Sequence, residues 1–497
     1  MINTFAHGVI RWRWLVLPVV LLAFAYAITG GRFLSFTSDY RVFFSDDNPQ
    51  LVAFEALQDT YTKNDNVLFV LVPKSGNVFN QKTLASVEQL TERAWQIPFS
   101  IRVDSVTNFQ HTYAEGDDLV VEDLVTNAWA LNDQDLARTK QVALQEPSLL
   151  NRLISPTAHV TGVNVTIQMP GLDEQREVFQ VAWFARSLAD EVREANPDVD
   201  VYLTGISMMN VAFPEASMRD MQTLVPLMFA VVIVLLGVLL RTAWATLAAL
   251  LVIILSIAGA MGLTGWLGIR LSPPTSAAPT IILTMAVADC VHILVNALHG
   301  MRGGLEKRQA IIESVRLNFQ PIFITSVTTA IGFMSMNFSD APPFRDLGNI
   351  VAMGVMLAFV LSVTLFPALL SVLPMKVGSA RTLGGRWMAC FGGFVVNYRR
   401  RLLWGMAVAA IVLIACIPRN ELNDEFVKYF DESVDFRRAT DFTTENLTGI
   451  YLIEYSLSGG EAGGVSDPQF LAKVEAFAQW YRQQPEVMHV STITDTL

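Results

Sequence analysis

The chain has 497 residues, of which 52% are hydrophobic and only 16% charged. A soluble globular domain carries about 25% charged residues, so the balance points to a membrane protein. The formal net charge of −11 argues against nucleic acid as a partner. The three cysteines, Cys290, Cys390 and Cys416, lie far apart in apolar or juxtamembrane stretches and spell neither a disulfide framework nor a zinc site.

Residues 1–13 read as a short amphipathic lead-in ending in Arg11 and Arg13, and 14–29 as an apolar run. No A-x-A-like cleavage site closes that run, so residues 1–31 are expected to hold an uncleaved first transmembrane helix with its basic end in the cytoplasm. Residues 32–220 then change to the composition of a soluble α+β domain, with 27 Asp and Glu against 14 Lys and Arg. Strands are expected at 66–73 (NVLFVLVP) and 101–106, on either side of a helix at 82–95. A second strand–helix–strand unit is expected from 160–169, 173–195 and 199–204. Two such units predict a split β-α-β, ferredoxin-like domain. The region between 112 and 152 reads as helix or loop.

Residues 221–375 carry five long apolar stretches, at 224–240, 242–269, 278–299, 320–338 and 347–375. A basic linker at 376–401 has six Lys and Arg and no acid, and a seventh span follows at 402–418. With the N-terminus in the cytoplasm, Arg241, the loop 300–319 with Arg302, Lys307, Arg308 and Arg316, and the basic linker all fall inside. Residues 32–220 and 419–497 then fall outside, in agreement with the positive-inside rule. The amphipathic stretches 303–319 and 381–400 are expected to lie along the cytoplasmic interface.

The stretch 278–299, APTIILTMAVADCVHILVNALH, holds one carboxylate near its middle, Asp289. A charge at that depth costs at least about 2.5–3.5 kcal/mol, a cost usually tied to an ion or proton site. At about 100° per residue, His292, Asn296 and His299 fall near 300°, 340° and 280° from Asp289, on one stripe. Asp289 reads as a proton carrier or ion ligand, with a structural hydrogen-bonding acid as the alternative. His292 reads as a relay partner, since histidine titrates near neutral pH, or as a packing residue. Asn296 and the hydroxyls of Thr325, Ser326, Thr328 and Thr329 could border a hydrated path; close helix packing by small polar residues is the other reading. A shared metal does not fit, because the ten residues from Asp289 to His299 span about 15 Å of helix. No phosphate-binding loop and no G-x-S-x-G or zincin motif is present, so ATP drive and hydrolysis are not expected, and neither is any cofactor beyond the proton.

The chain also repeats itself. TSDYRVFFSDDN (37–48) aligns with NDEFVKYFDESV (423–434), pairing Tyr40 with Phe426, Phe43 with Tyr429 and Phe44 with Phe430. The same offset of 386 residues pairs Phe5 with Phe391, Trp12 with Tyr398, Arg13 with Arg399, and the strand 66–73 with 452–459. DSVTN (104–108) matches STITD (491–495) at an offset of 387. Residues 388–497 are therefore expected to begin a second copy that stops partway through its outside domain, as in a fragment or truncated product of a longer two-repeat transporter.

One helix, a large outside domain, five helices and then the same again resembles the resistance–nodulation–division (RND) superfamily, and within it the MmpL-like exporters. The residues that carry the likeness are TMAVADCVHIL (284–294), TSVTTAIGFMSM (325–336) and FRDLGNIVAMGVMLAFVLSVTLFPALL (344–370). The five-helix block also resembles the sterol-sensing domain of Patched-type proteins. The resemblance implies a polytopic α-helical protein of the bacterial inner membrane with inserted ferredoxin-like porter domains. It implies proton-coupled export of hydrophobic or lipid-like molecules, with Asp289 at the acidic position. Multidrug pumps carry two adjacent acids where this chain has a single one between Ala288 and Cys290. The partner expected on a tenth helix lies in the missing repeat, and a homo-oligomer or accessory periplasmic proteins could complete the assembly. A lipid-binding receptor or scaffold that moves nothing is the alternative.

Overall fold

The structure is a computed structural model that describes residues 2–37, 39–61, 65–240, 242–375, 385–420 and 425–496. Arg241, residues 376–384 of the basic linker, and Asn423 and Asp424 of the repeated motif lie outside the described residues.

The chain starts with two short helices, α1 (Ile2–Arg11) and α2 (Arg13–Ile28), separated by a break at Trp12. α1 is amphipathic. It buries Ala6, Val9 and Ile10 under the bundle, where Phe5 packs edge-on to Phe319. After a 3-10 turn, Tyr40–Phe43, comes α3 (Pro49–Thr60), whose first turn is capped by Asn48. The extramembrane module follows as β1 (Asn66–Pro73), α4 (Gln81–Ala94), β2 (Ser100–Ser105), β3 (Gln110–Glu115), β4 (Asp118–Asp123), α5 (Asp133–Gln145), β5 (Thr161–Ile167), α6 (Glu174–Ala195) and β6 (Val199–Thr204).

The main sheet has the order β2-β5-β1-β6, and every neighbouring pair in it is antiparallel. This is the split β-α-β topology expected from the two strand–helix–strand units. β1 is central, so it is apolar on both faces. Val67, Phe69 and Leu71 pack with residues of α4 and α6, while Leu68 and Val70 pack on the other face with Val160 and Leu447. The region read as helix or loop holds the hairpin β3–β4, which pairs with no other strand among the described residues. Its alternation is hidden because Leu119 and Val121 are exposed, so no buried face marks the pattern.

At the end of β6 the chain turns at Gly205, with φ +106; a Cβ there would sit 2.6 Å from the Asn66 carbonyl oxygen. The membrane helices follow as α7 (Ile206–Leu240), α8 (Ala243–Trp266), α9 (Ala278–Arg302), α10 (Lys307–Met334), α11 (Pro342–Val363) and α12 (Leu365–Val372). α11 and α12 make one span, so together with α2 and a later helix there are seven spans long and apolar enough to cross a membrane among the described residues. α8, α9 and α11 form the centre of the bundle. α2 approaches α8 so closely that a Cβ on Gly262 would overlap the Ala27 carbonyl, and one on Gly265 the Gly30 carbonyl. Most of the stretch 303–319 is continuous with the span that follows it: α10 begins at Lys307 and runs unbroken through Pro321. Ala310, Ile311 and Val315 on this stretch are buried in the bundle.

The last segment holds α13 (Gly385–Asn397), α14 (Arg399–Ala415), the 3-10 turn Phe426–Tyr429, α15 (Asp435–Asn446) and α16 (Pro468–Arg482). The turns Tyr40–Phe43 and Phe426–Tyr429 start 386 residues apart, and so do α3 and α15. The helix break recurs at the same distance, between α13 and α14 at Tyr398. Arg13 Nη1 donates to the Ile10 carbonyl at 3.0 Å, and Arg399 Nη1 to the Val396 carbonyl at 3.3 Å.

α15 packs against the β1–β6 face of the first module. Tyr202 and Phe442 stack at 4.7 Å, and the hydroxyls of Thr204 and Thr440 meet at 2.7 Å. Phe426 and Phe430 meet Phe43 and Phe213. The expected strand 452–459 is not one. It is irregular and exposed, because no strand among the described residues pairs with it. Residues 491–495 likewise enter a short 3-10 turn, Ile493–Thr496.

Candidate functional site

α9 is fixed by its neighbours. Pro279 sits in its first turn, where a missing N–H costs nothing, and α8, α10 and α11 surround its inner face. Asp289 lies midway along it and is 3% exposed. Its Oδ2 has no hydrogen-bond partner among the described residues. The adjoining Cys290 is fully buried, with its Sγ 3.9 Å from Ser362 Oγ on α11.

On α10, Ser314, Asn318 and Ser326 lie on the buried side at spacings of four and eight residues. Ser314 Oγ donates to the Ile293 carbonyl, and Asn296 Nδ2 donates to Asn318 Oδ1 at 2.9 Å. Asn318 Nδ2 donates in turn to the Ser314 carbonyl at 2.8 Å. These bonds set the register of the two helices. Asp289 lies about 10 Å before Asn296 along α9, and Ser326 about 12 Å beyond Asn318 along α10, so the two stand within about one turn of the same depth. Ser326 Oγ is buried and, like Asp289 Oδ2, lacks a partner among the described residues. An enclosed carboxylate oxygen and an enclosed hydroxyl, both unpaired in an apolar setting, are an unusual pair of costs for one bundle to carry.

The rest of the proposed stripe does not share this enclosure. His292, Asn296 and His299 are exposed. Asn296 is tied to α10 at its amide, and His292 is not enclosed with Asp289. Thr325 and Thr328 are also exposed and donate to carbonyls of their own helix, Thr325 to Ile322 at 2.9 Å and Thr328 to Ile324 at 2.8 Å. Thr329 is half-buried. Of the four hydroxyl residues, only Ser326 is both buried and unpaired. Ser314 and Asn318 were not singled out from the sequence, although polar residues four apart in a helix that goes on to cross the membrane are a readable signal. Among the described residues no cluster of His, Cys, Asp and Glu could hold a metal ion.

Comparison with known proteins adds a second line. The model of the MMPL family matches residues 43–404. A membrane protein of Methanocaldococcus jannaschii is 21% identical over 374 residues, 74% of this chain and 92% of that one. The siderophore exporter MmpL5 of Mycobacterium tuberculosis is 24% identical over 243 residues, which is 46% of this chain but 25% of that protein. The hopanoid transporter HpnN of Rhodopseudomonas palustris is 29% identical over 115 residues, 22% of this chain and 13% of that one. The chain thus matches a quarter or less of the length of these two transporters.

Proposed function

The chain belongs to the MMPL family, and from that premise we propose that it is part of a proton-driven exporter of hydrophobic or lipid-like molecules. The relatives named as a siderophore exporter and a hopanoid transporter support the substrate class. The observation that carries the reading is Asp289, an acid placed at mid-bundle with an enclosed oxygen that no described residue satisfies. Such a group gains a partner only by binding a proton, a water or a neighbour that arrives in another state. Ser326, at about the same depth, is the hydroxyl best placed to share a bridging water with it. His292 is the proposed outer member of the relay. It lies one turn along on the exposed side, where an adjoining helix would complete the path.

In this reading residues 1–31 and 221–375 form the membrane unit and 32–220 the porter-like module that handles substrate. Residues 376–401 link to a second unit begun by 402–418 and 419–497. The 386-residue recurrence of turn, helix and helix break supports a two-repeat plan. The distribution of basic loops supports a cytoplasmic N-terminus in an inner membrane.

The test is Asp289→Asn in the full-length protein, reconstituted in vesicles with an imposed proton gradient. Substrate-linked proton flux read by an entrapped pH-sensitive dye should fall to the level of protein-free vesicles, while thermal melting stays at the wild-type value. Undiminished flux in the variant would refute the proton role. A wild-type protein that binds lipid yet gives no flux would favour a receptor instead.

A further inference from the structure

At the Trp12 break a cleft of about 470 Å³ opens on the outer side of α2, lined by Arg11, Trp12, Trp14, Leu15, Pro18 and Val19. We infer that this cleft binds an anionic phospholipid, with the phosphate at Arg11 and the acyl chains along Leu15 and Val19. Four features converge there. Arg11 is exposed and makes no ion pair or side-chain hydrogen bond among the described residues, so its charge is available. Arg13, by contrast, is tied to the Ile10 carbonyl and lies 6.0 Å from the Trp14 ring, which fixes one wall. Trp12 and Trp14 are both more than half exposed, at the end of a membrane helix where indoles sit among head groups. Pro18 lacks an N–H, so the Trp14 carbonyl loses its usual donor four residues on and offers an acceptor to a head-group hydroxyl.

The charge and the geometry select the ligand. Residues 1–31 contain no Asp or Glu, so nothing in this stretch competes for Arg11. The lining sets a cation and two indoles beside the aliphatic Leu15 and Val19, as a phosphate ester with a hydrocarbon tail requires. Phosphatidylglycerol fits best, because its head group carries both the phosphate and a free hydroxyl for the Trp14 carbonyl. The inference is independent of the transport reading, since lipid retention is measured with no gradient and no substrate.

The full chain is placed in nanodiscs of phosphatidylcholine with and without phosphatidylglycerol, and the lipids it retains are identified by native mass spectrometry. Wild type should retain phosphatidylglycerol selectively. Arg11→Gln should lower that retention about tenfold, the worth of one charge-assisted contact, while melting with wild type in phosphatidylcholine alone. Val19→Trp, which fills the cleft without touching its charge, should lower it as well. Arg32→Gln removes the same charge near the other end of the helix and should leave retention unchanged. Inorganic phosphate should not displace the lipid. Wild-type retention in the Arg11 or Val19 variant, an equal loss in the Arg32 variant, or displacement by phosphate would each overturn the assignment.

Discussion

α1 and α2 on one side, and α13 and α14 on the other, have nearly the same local structure and opposite fates. Both pairs are a short helix with an apolar side, a break at an aromatic residue and a membrane-length helix, with an arginine hooked back to the carbonyl three residues earlier. Yet α1 buries Ala6, Val9 and Ile10 and α2 closes on the glycines of α8, whereas α14 buries no residue at all. The same contrast separates β1, the buried centre of a four-stranded sheet, from residues 452–459, which lie open 386 positions later. Local structure follows from the residues themselves. Burial follows from whether a partner surface is present.

Paired substitutions would sharpen or break that comparison. Leu71 and Leu457 occupy equivalent positions, one fully buried and the other 44% exposed. Leu71→Ala should destabilise the extramembrane module by about 2–5 kcal/mol in denaturant titrations, and Leu457→Ala by no more than about 0.5 kcal/mol. Equal effects would mean that 452–459 is packed in solution after all.

A smaller contrast is expected among the membrane helices. Gly262→Val drives a side chain into the Ala27 carbonyl and should cost about 1–3 kcal/mol, read as a lower melting temperature in detergent. A Cβ added at Gly405 would meet nothing within 4 Å, so Gly405→Ala should be neutral or stabilise by up to about 1 kcal/mol through helix propensity alone.

The smallest effect concerns the seam between the two extramembrane segments. His489 is held below the ordinary histidine value of 6.5, first by burial and then by Arg152. Arg152 pairs with Asp104 and Arg482 with Asp495, so both neighbouring arginines are already partnered, and a protonated ring would face two cations against Asp495. The unfolded segment binds that proton more readily than the folded one, so stability contributed here is full above 6.5 and falls as pH drops towards the lower folded value. Hydrogen exchange around 149–152 and 487–495 should quicken over that range, and His489→Gln should flatten the dependence. An unchanged profile in the variant would remove His489 from the seam.

Much of this was legible in advance because it rests on periodicity and composition. Seven apolar runs, two strand–helix–strand units and the recurring aromatics of 40–44 and 426–430 each leave a signal in the chain. The isolated hairpin β3–β4 left none, since it has no buried face to impose alternation. At the candidate site, helical spacing put Asp289, His292, Asn296 and His299 on one stripe, but spacing does not state where the neighbouring helices end. That stripe straddles the edge of the packed bundle, so Asp289 turns inward and the three others outward. Ser326 was one hydroxyl among four until α10 buried it alone.

The sequence by itself determined the four strands and two helices of the main sheet module, where the membrane spans fall, and that one acid lies at mid-span, because these depend on the order of residues along a single chain. Only the tertiary structure decided which polar atoms are enclosed without a partner, and that α15 covers a sheet strand 236 residues upstream, at Thr204 and Thr440. Those facts depend on surfaces brought together from distant positions, and packing between surfaces leaves no period in a sequence.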